Sequence, residues 1–201
     1  MRRLSVPLLA CLAAALLVGC GSDEPETVDG DGYSFEAPEG WEDVTGDSEE
    51  IADLIGGAGG DAAAAAAGAY DVAVVSDETS DDFRTNFNVG LQEDVPPGYD
   101  AQRFAEQNVA VFENPDQVEG ILPDGIDVDY VGDEPRRITL GGETAYEVEY
   151  GLTTPEAEVA ALQVYAVHEG AAYVGTYTAD PDAFDPQSED LRHILETWEW
   201  D

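Results

Sequence analysis

Four side chains hold nearly all the nucleophilic and imidazole chemistry open to this chain: Cys11, Cys20, His168 and His193. A covalent catalyst needs a serine or cysteine within reach of a base, most often a histidine. Both cysteines fall within the first 20 residues, and the sequence has no Gly-x-Ser-x-Gly, His-Glu-x-x-His or phosphate-cradling glycine loop. His168 closes a strand-like run beside a turn, and His193 follows Arg192 in a helical pattern, so both read as solvated histidines. Carboxylate pairs such as Glu147 and Glu149 recur among 45 acidic residues and carry no information about acid/base work. Asp29-Gly30-Asp31-Gly32 and the stretch from Asp127 to Asp133 offer clustered oxygen ligands for calcium. The first has Tyr33 where an EF-hand loop wants another ligand. The second has Val131 there and Ile138 in place of the closing glutamate, although Gly132 occupies the sharp-turn position. No catalytic residue, cofactor or metal site is therefore expected.

Cys20 has a different chemistry open to it. Met1-Arg2-Arg3 is a basic start, and the apolar stretch from Leu8 to Val18 is too short for a comfortable membrane span, which is the pattern of a secretory signal. It ends in Leu17-Val18-Gly19-Cys20 and so resembles the lipobox of bacterial lipoproteins. That resemblance implies a diacylglyceryl group on the Cys20 thiol and cleavage after Gly19, with Cys20 the lipidated N-terminus of the mature protein. Two acyl chains suffice for stable anchoring, at about 0.8 kcal/mol per buried methylene. Cys11 would leave with the signal, so the mature chain has no disulfide, free thiol nucleophile or cysteine-based metal site.

All 45 acids follow Cys20 while Arg2 and Arg3 precede it, so loss of residues 1–19 takes the formal charge from −38 to −40. The remaining five cations are all arginine. Such a charge repels phosphate backbones and anionic headgroups, which excludes nucleic acid as a partner and leaves the lipid as the only membrane attachment. The acids are spread along the chain rather than grouped in blocks, which favours solubility or adaptation to a salty exterior over a dedicated cation store.

The elements follow from spacing. Residues 20–31 are polar and acidic with Pro25 and read as a tether, one that holds a domain roughly 20 Å from the bilayer. Residues 32–201 are the right size for one domain, with no internal repeat. Tyr33 to Ala37 alternates as a strand and stops at Pro38-Glu39-Gly40-Trp41. Ser48 can cap a helix carrying Ile51, Leu54 and Ile55, before a low-complexity insert from Ala62 to Ala67. Tyr70–Ser76 and Phe83–Leu91 suggest a hairpin around an acidic turn from Asp77 to Asp82, and a helix starts near Asp100 with Ala101, Phe104, Ala105, Asn108, Val111 and Phe112 on one face. Four strands follow, Arg136–Leu140, Glu143–Leu152, Glu158–His168 and Ala171–Ala179, with tight turns at Gly141-Gly142 and Glu169-Gly170. Asp185 can cap a last helix that starts at Pro186 and buries Leu191, Ile194, Leu195 and Trp198.

This order, with Tyr33-Ser34-Phe35-Glu36-Ala37-Pro38-Glu39-Gly40-Trp41, the strand Arg84-Thr85-Asn86-Phe87-Asn88-Val89 and the closing helix, resembles the PsbP/Mog-type fold over nearly all of the chain after Tyr33. With the lipobox, it is similar to actinobacterial lipoproteins of the LpqN type. The resemblance implies an α+β domain, an antiparallel sheet flanked by helices as an α/β/α sandwich, and a non-catalytic module for a protein or cell-envelope component. Neither known partner of the family, a photosystem or a Ran-type GTPase, transfers to an acidic, lipid-anchored bacterial protein. The expected place is the extracytoplasmic face of a bacterial membrane. A divalent-cation or small-ligand binder and an envelope hydrolase are the alternatives from other functional classes.

Overall fold

The run from Glu158 to His168 is apolar at odd and even positions alike, apart from its ends and Gln163, and a strand of that composition has to be covered on both faces. In the computed structural model, which describes residues 25–47, 70–80, 83–114, 127–132, 134–153 and 158–201, it lies inside an eight-stranded antiparallel sheet. In chain order the elements are β1 (Thr27–Gly30), β2 (Tyr33–Glu36), β3 (Trp41–Asp43), β4 (Tyr70–Ser80), β5 (Phe83–Gln92), α1 (Ala101–Phe112), β6 (Asp127–Val131), β7 (Arg136–Leu140), β8 (Glu143–Thr153), β9 (Glu158–His168), β10 (Ala171–Ala179), α2 (Glu189–Glu196) and β11 (Glu199–Trp200). The large sheet runs β3-β4-β5-β10-β9-β8-β6, with β7 also on β8, and a small sheet runs β1-β2-β11.

The two-residue period sorts the side chains into two cores. On one face Leu162, Val164 and Ala166 of β9 join Val72, Val74, Phe87, Val89, Tyr173 and Tyr177, against Tyr33 and Phe35 of the small sheet and Leu191 and Ile194 of α2. On the other, Ala161 and Tyr165 with Val148, Tyr150 and Ala172 pack on Phe104 and Ala105 of α1. The fold is thus α+β and mostly antiparallel sheet. The expected sandwich between helical layers is not what the faces carry: among the described residues there are two helices, and much of the first face is roofed by strands. Tyr33-Ser34-Phe35-Glu36 alternates buried and half-buried, so it roofs the core as a strand between two others.

The four strands of the second half stand at their expected places, with one added residue on β8. Their turns rest on left-handed pairs, Gly141 (φ 55°) with Gly142 (φ 83°) and Glu169 (φ 45°) with Gly170 (φ 90°), the backbone that a two-residue hairpin needs. α1 begins where expected, after Asp100, which caps it by accepting from the Arg103 N–H at 2.9 Å.

Four expectations change. The tether is shorter, because Thr27–Gly30 pairs with β2 and buries Val28 to 2 % exposure. The acidic turn is narrower, because β4 runs on to Ser80 through a register shift between Val75 and Thr79. Asp127–Val131 is an extended edge strand on β8. Asp185 is not the cap of α2: its carboxylate accepts from the Gln187 N–H at 2.8 Å, turning the chain into Ser188, whose hydroxyl accepts from the Leu191 N–H at 3.2 Å. Ser188 wins because Glu189 and Asp190 then occupy the first turn, where the helix dipole favours negative charge. Cys20, the Ser48 helix and the Ala62–Ala67 insert lie outside the described residues.

Gly175 on β10 lies against Phe87, and a Cβ added there would stand 2.8 Å from Phe87 Cζ. Phe87 is 1 % exposed and cannot swing away. Gly175→Ala is expected to lose about 1–3 kcal/mol, read as a lower urea midpoint at unchanged slope. Phe87→Leu in the same chain should recover part of that loss.

Candidate functional site

α1 crosses β8 and β9 on the second face of the sheet, and its polar side stands off from β8. Between them run two open hollows of about 460 and 700 Å³ that share Gln102 and Tyr146. Tyr146 donates to Gln102 Oε1 at 3.3 Å, and Gln102 donates to Glu106 Oε1 at 2.8 Å, so the shared wall is tied to both elements. The first hollow opens between Tyr99 and Val167; the second runs past Val109 and Ala110 to Glu113 and Glu134. Tyr99, Val109, Tyr146 and Val167 are only partly buried, which leaves apolar surface within a trough rimmed by carboxylates.

Under this trough lies a buried polar chain. The Tyr165 hydroxyl donates to Gln163 Oε1 at 2.5 Å, so Tyr150 supplies the proton in the 2.9 Å contact between the two hydroxyls. Gln163 Nε2 donates on to Thr176 Oγ1 at 3.3 Å. Phe104 meets Tyr165 edge-on at 5.3 Å and Phe112 covers Tyr150 at 4.8 Å. Burial pushes both hydroxyls up, Tyr150 to about 12, so each stays protonated at neutral pH and serves the fold.

The two histidines are set in separate surroundings. His168, at the end of β9, stacks on Trp200 at 4.6 Å with the rings within 11° of parallel, and its Nδ1 lies 3.1 Å from Glu143 Oε1. His193 on α2 has Nε2 3.6 Å from Glu36 Oε2. Glu143 and Glu36 are thus the carboxylate neighbours of the two imidazoles. The carboxylate pair singled out in sequence also separates by role. Glu147 has a side chain 8 % exposed and accepts from Arg136 Nε at 2.5 Å, while Glu149 is half-buried.

Of the candidate calcium ligands, Asp29 is in β1 opposite Ser34, and Asp127 and Asp129 are in β6, where Asp129 accepts from the Thr153 hydroxyl at 2.6 Å. An extended strand points alternate side chains the same way but does not wrap them around an ion. Among the described residues no three His, Cys, Asp or Glu side chains converge as a metal would need. Asp133 lies outside them. The trough has no single motif in sequence; its trace there is the amphipathic helix after Asp100 followed by the alternating Tyr146-Glu147-Val148-Glu149-Tyr150 strand. The edge strand β6 did carry a signal, the alternation Asp127-Val128-Asp129-Tyr130-Val131, which also suited an acidic loop.

No family model matches the chain, and no curated protein does. Among solved structures, cyanobacterial PsbP from Synechocystis is similar at a TM-score of 0.55 and 15 % identity, over 92 % of this chain and 99 % of that one. LpqN of Mycobacterium tuberculosis, involved in cell envelope biogenesis, gives a TM-score of 0.44 at 14 % identity over 89 % and 86 %. A Pseudomonas aeruginosa protein of unknown function, PA94, gives 0.39 at 18 % over 60 % and 71 %. The last two likenesses are too loose to carry a conclusion. The first shows that the chain has the fold of PsbP.

Burial, the largest cause, pushes the Glu147 carboxyl up, and Arg136 offsets part of it. A carboxyl raised in the fold keeps its proton to higher pH than in the unfolded chain, so its stabilising contribution is full at low pH and is lost as pH rises through the carboxylate range. Glu147→Gln holds the neutral form throughout. Its melting temperature relative to the parent is expected to climb between about pH 4 and about pH 7. A difference that falls over that interval would mean that the Arg136 ion pair outweighs the burial.

Proposed function

We propose that the chain is a lipoprotein anchored by Cys20 on the extracytoplasmic face of a bacterial membrane, and that its PsbP-like domain is a non-catalytic module that binds a protein or cell-envelope component. The observation that carries the binding reading is the trough along α1. Its two hollows are open and lined by half-buried apolar and exposed acidic side chains, a surface suited to contact with another molecule. Support for the anchor comes from the lipobox, the short apolar run before it, and a charge that disfavours docking on anionic lipid. Among the described residues no helix is long and apolar enough to cross a membrane.

Cys20→Ser is expected to move the protein from the detergent phase to the aqueous phase in a cloud-point partition and to release it from washed membranes. A variant that stays membrane-bound would overturn the anchor. Crosslinking and pull-down of the anchored protein in its own cells tests the module, with one envelope component expected to be recovered repeatedly.

A further inference from the structure

β7 lies at an edge of the large sheet, paired with β8 alone. Gly141 and Gly142 both have positive φ, so Leu140 and Glu143 close a two-residue hairpin as a hydrogen-bonded pair. Opposed residues of an antiparallel ladder alternate between bonded and non-bonded pairs, which makes Ile138–Ala145 and Arg136–Glu147 the next bonded ones. Arg137 and Thr139 therefore turn their N–H and C=O groups away from β8. Both residues are exposed, and among the described residues none bonds to their backbone from that side. Such a row of donors and acceptors is a template for another extended chain.

Its charge sets this edge apart. Among the described strands, every other one at a sheet edge carries a carboxylate: Asp29 on β1, Glu42 and Asp43 on β3, Asp127 and Asp129 on β6, and Glu199 on β11. β7 has none, and holds Arg136 and Arg137, two of the five arginines that follow Cys20. Arg136 is engaged by Glu147. Arg137 donates to the Thr144 hydroxyl at 2.9 Å, and among the described residues no carboxylate lies within ion-pair distance of it. Ile138 and Leu140 pack on the main core, so Arg137 and Thr139 project on the α1 side, and Ile138 is left half-buried on the other. Charge on an edge turns away strands of like sign, so the acidic edges repel an acidic chain while β7 attracts one. A second copy would set one strongly acidic domain against another, which favours a short segment of a different protein as the occupant.

We propose that the open edge of β7 receives an extended acidic segment of a partner protein as a further strand, bonded to the backbone of Arg137 and Thr139, with a carboxylate opposite Arg137 and an apolar side chain opposite Ile138. No β7 residue lines the hollows along α1, so this site goes beyond the reading above and does not depend on it.

The test adds a blocked seven-residue peptide of alternating glutamate and valine to the full-length protein in detergent micelles at physiological salt. Amide exchange at Arg137 and Thr139 is expected to slow about tenfold at saturation, while Ile138 and Leu140, already bonded to β8, stay unchanged. Thr139→Pro removes one outward N–H without touching the ladder to β8, and should weaken binding about tenfold. Arg137→Gln should weaken it about threefold, whereas Arg192→Gln, which removes the same charge from α2, should stay within about twofold. No binding, binding with exchange at Arg137 and Thr139 unchanged, or equal loss in the two arginine variants would each overturn the proposal; a melting check confirms that every variant remains folded. A dimer of the parent in sedimentation that Thr139→Pro abolishes would make the occupant a second copy and overturn the partner. In cells, a photocrosslinking residue at Thr139 should join an acidic stretch of another protein. Capture at Ala110, exposed in the α1 hollow, with none at Thr139 overturns the edge and leaves the domain a binding module. Capture at neither, with no partner in the pull-down, overturns both.

Discussion

Everything in the main core leans on one stack, Tyr33 against Trp198, with ring centroids 4.3 Å apart and planes within 3°. It joins the start of the domain to its end. Phe35 lies beside this pair, near-parallel to Trp198 at 5.7 Å and to Tyr33 at 6.4 Å, and Tyr173 of the large sheet meets Tyr33 edge-on at 5.6 Å. Backbone contacts reinforce it: the Glu36 N–H donates to the Thr197 hydroxyl at 3.1 Å and the Asp201 N–H to the Gly32 carbonyl at 3.2 Å. Closing a loop of that length is costly in chain entropy, though the cost grows only logarithmically, and the aromatic area buried at the junction repays it. The large sheet keeps its main-core face dry only after these last residues arrive.

The second half of the fold was legible because its strands obey local rules. Tyr146, Val148 and Tyr150 alternate with charged residues, and Gly141-Gly142 tolerates the positive φ that its turn requires. The roof was less legible. Glu199-Trp200 is two residues of strand with no periodicity to read, and it exists because Trp200 donates to the Leu140 carbonyl at 3.1 Å and stacks on His168, contacts set entirely by tertiary structure. Thr27–Gly30 looked like tether because four residues with one valine carry no pattern; pairing with β2 supplies what the sequence lacks. Of the candidate site, the helix and the strand were visible separately. Their separation in space, which makes the trough, depends on side-chain sizes at Gln102 and Tyr146 that periodicity does not encode.

Glu147 shows how a rule that is right on average fails locally. Its alternation with Tyr146, Val148 and Tyr150 is the pattern of a residue on a solvated face, yet that face of β8 is the one that meets the main core, and the carboxylate is retained there by Arg136 reaching over from β7. A sheet roofed on both sides has no outer face, so a charge on either must bring its partner or surrender its ionisation. Of five arginines in an overwhelmingly acidic domain, one is spent on this pair.

The pairing of β1 sets the mechanics of attachment. If Cys20 is the lipidated end, only six residues, Gly21 to Glu26, separate it from the first residue of a strand fixed to the domain. Fully stretched, that linker spans about 20 Å, and as a coil about 13 Å, little more than a Debye length at physiological salt. Were the leaflet anionic, a body of this charge tied so closely to it would be pushed outward against its own leash. Tension of that kind would hold β1 pointing away from the bilayer and limit the tilt of the domain while leaving it free to turn about the membrane normal, so that its reach is decided where the chain first becomes a strand.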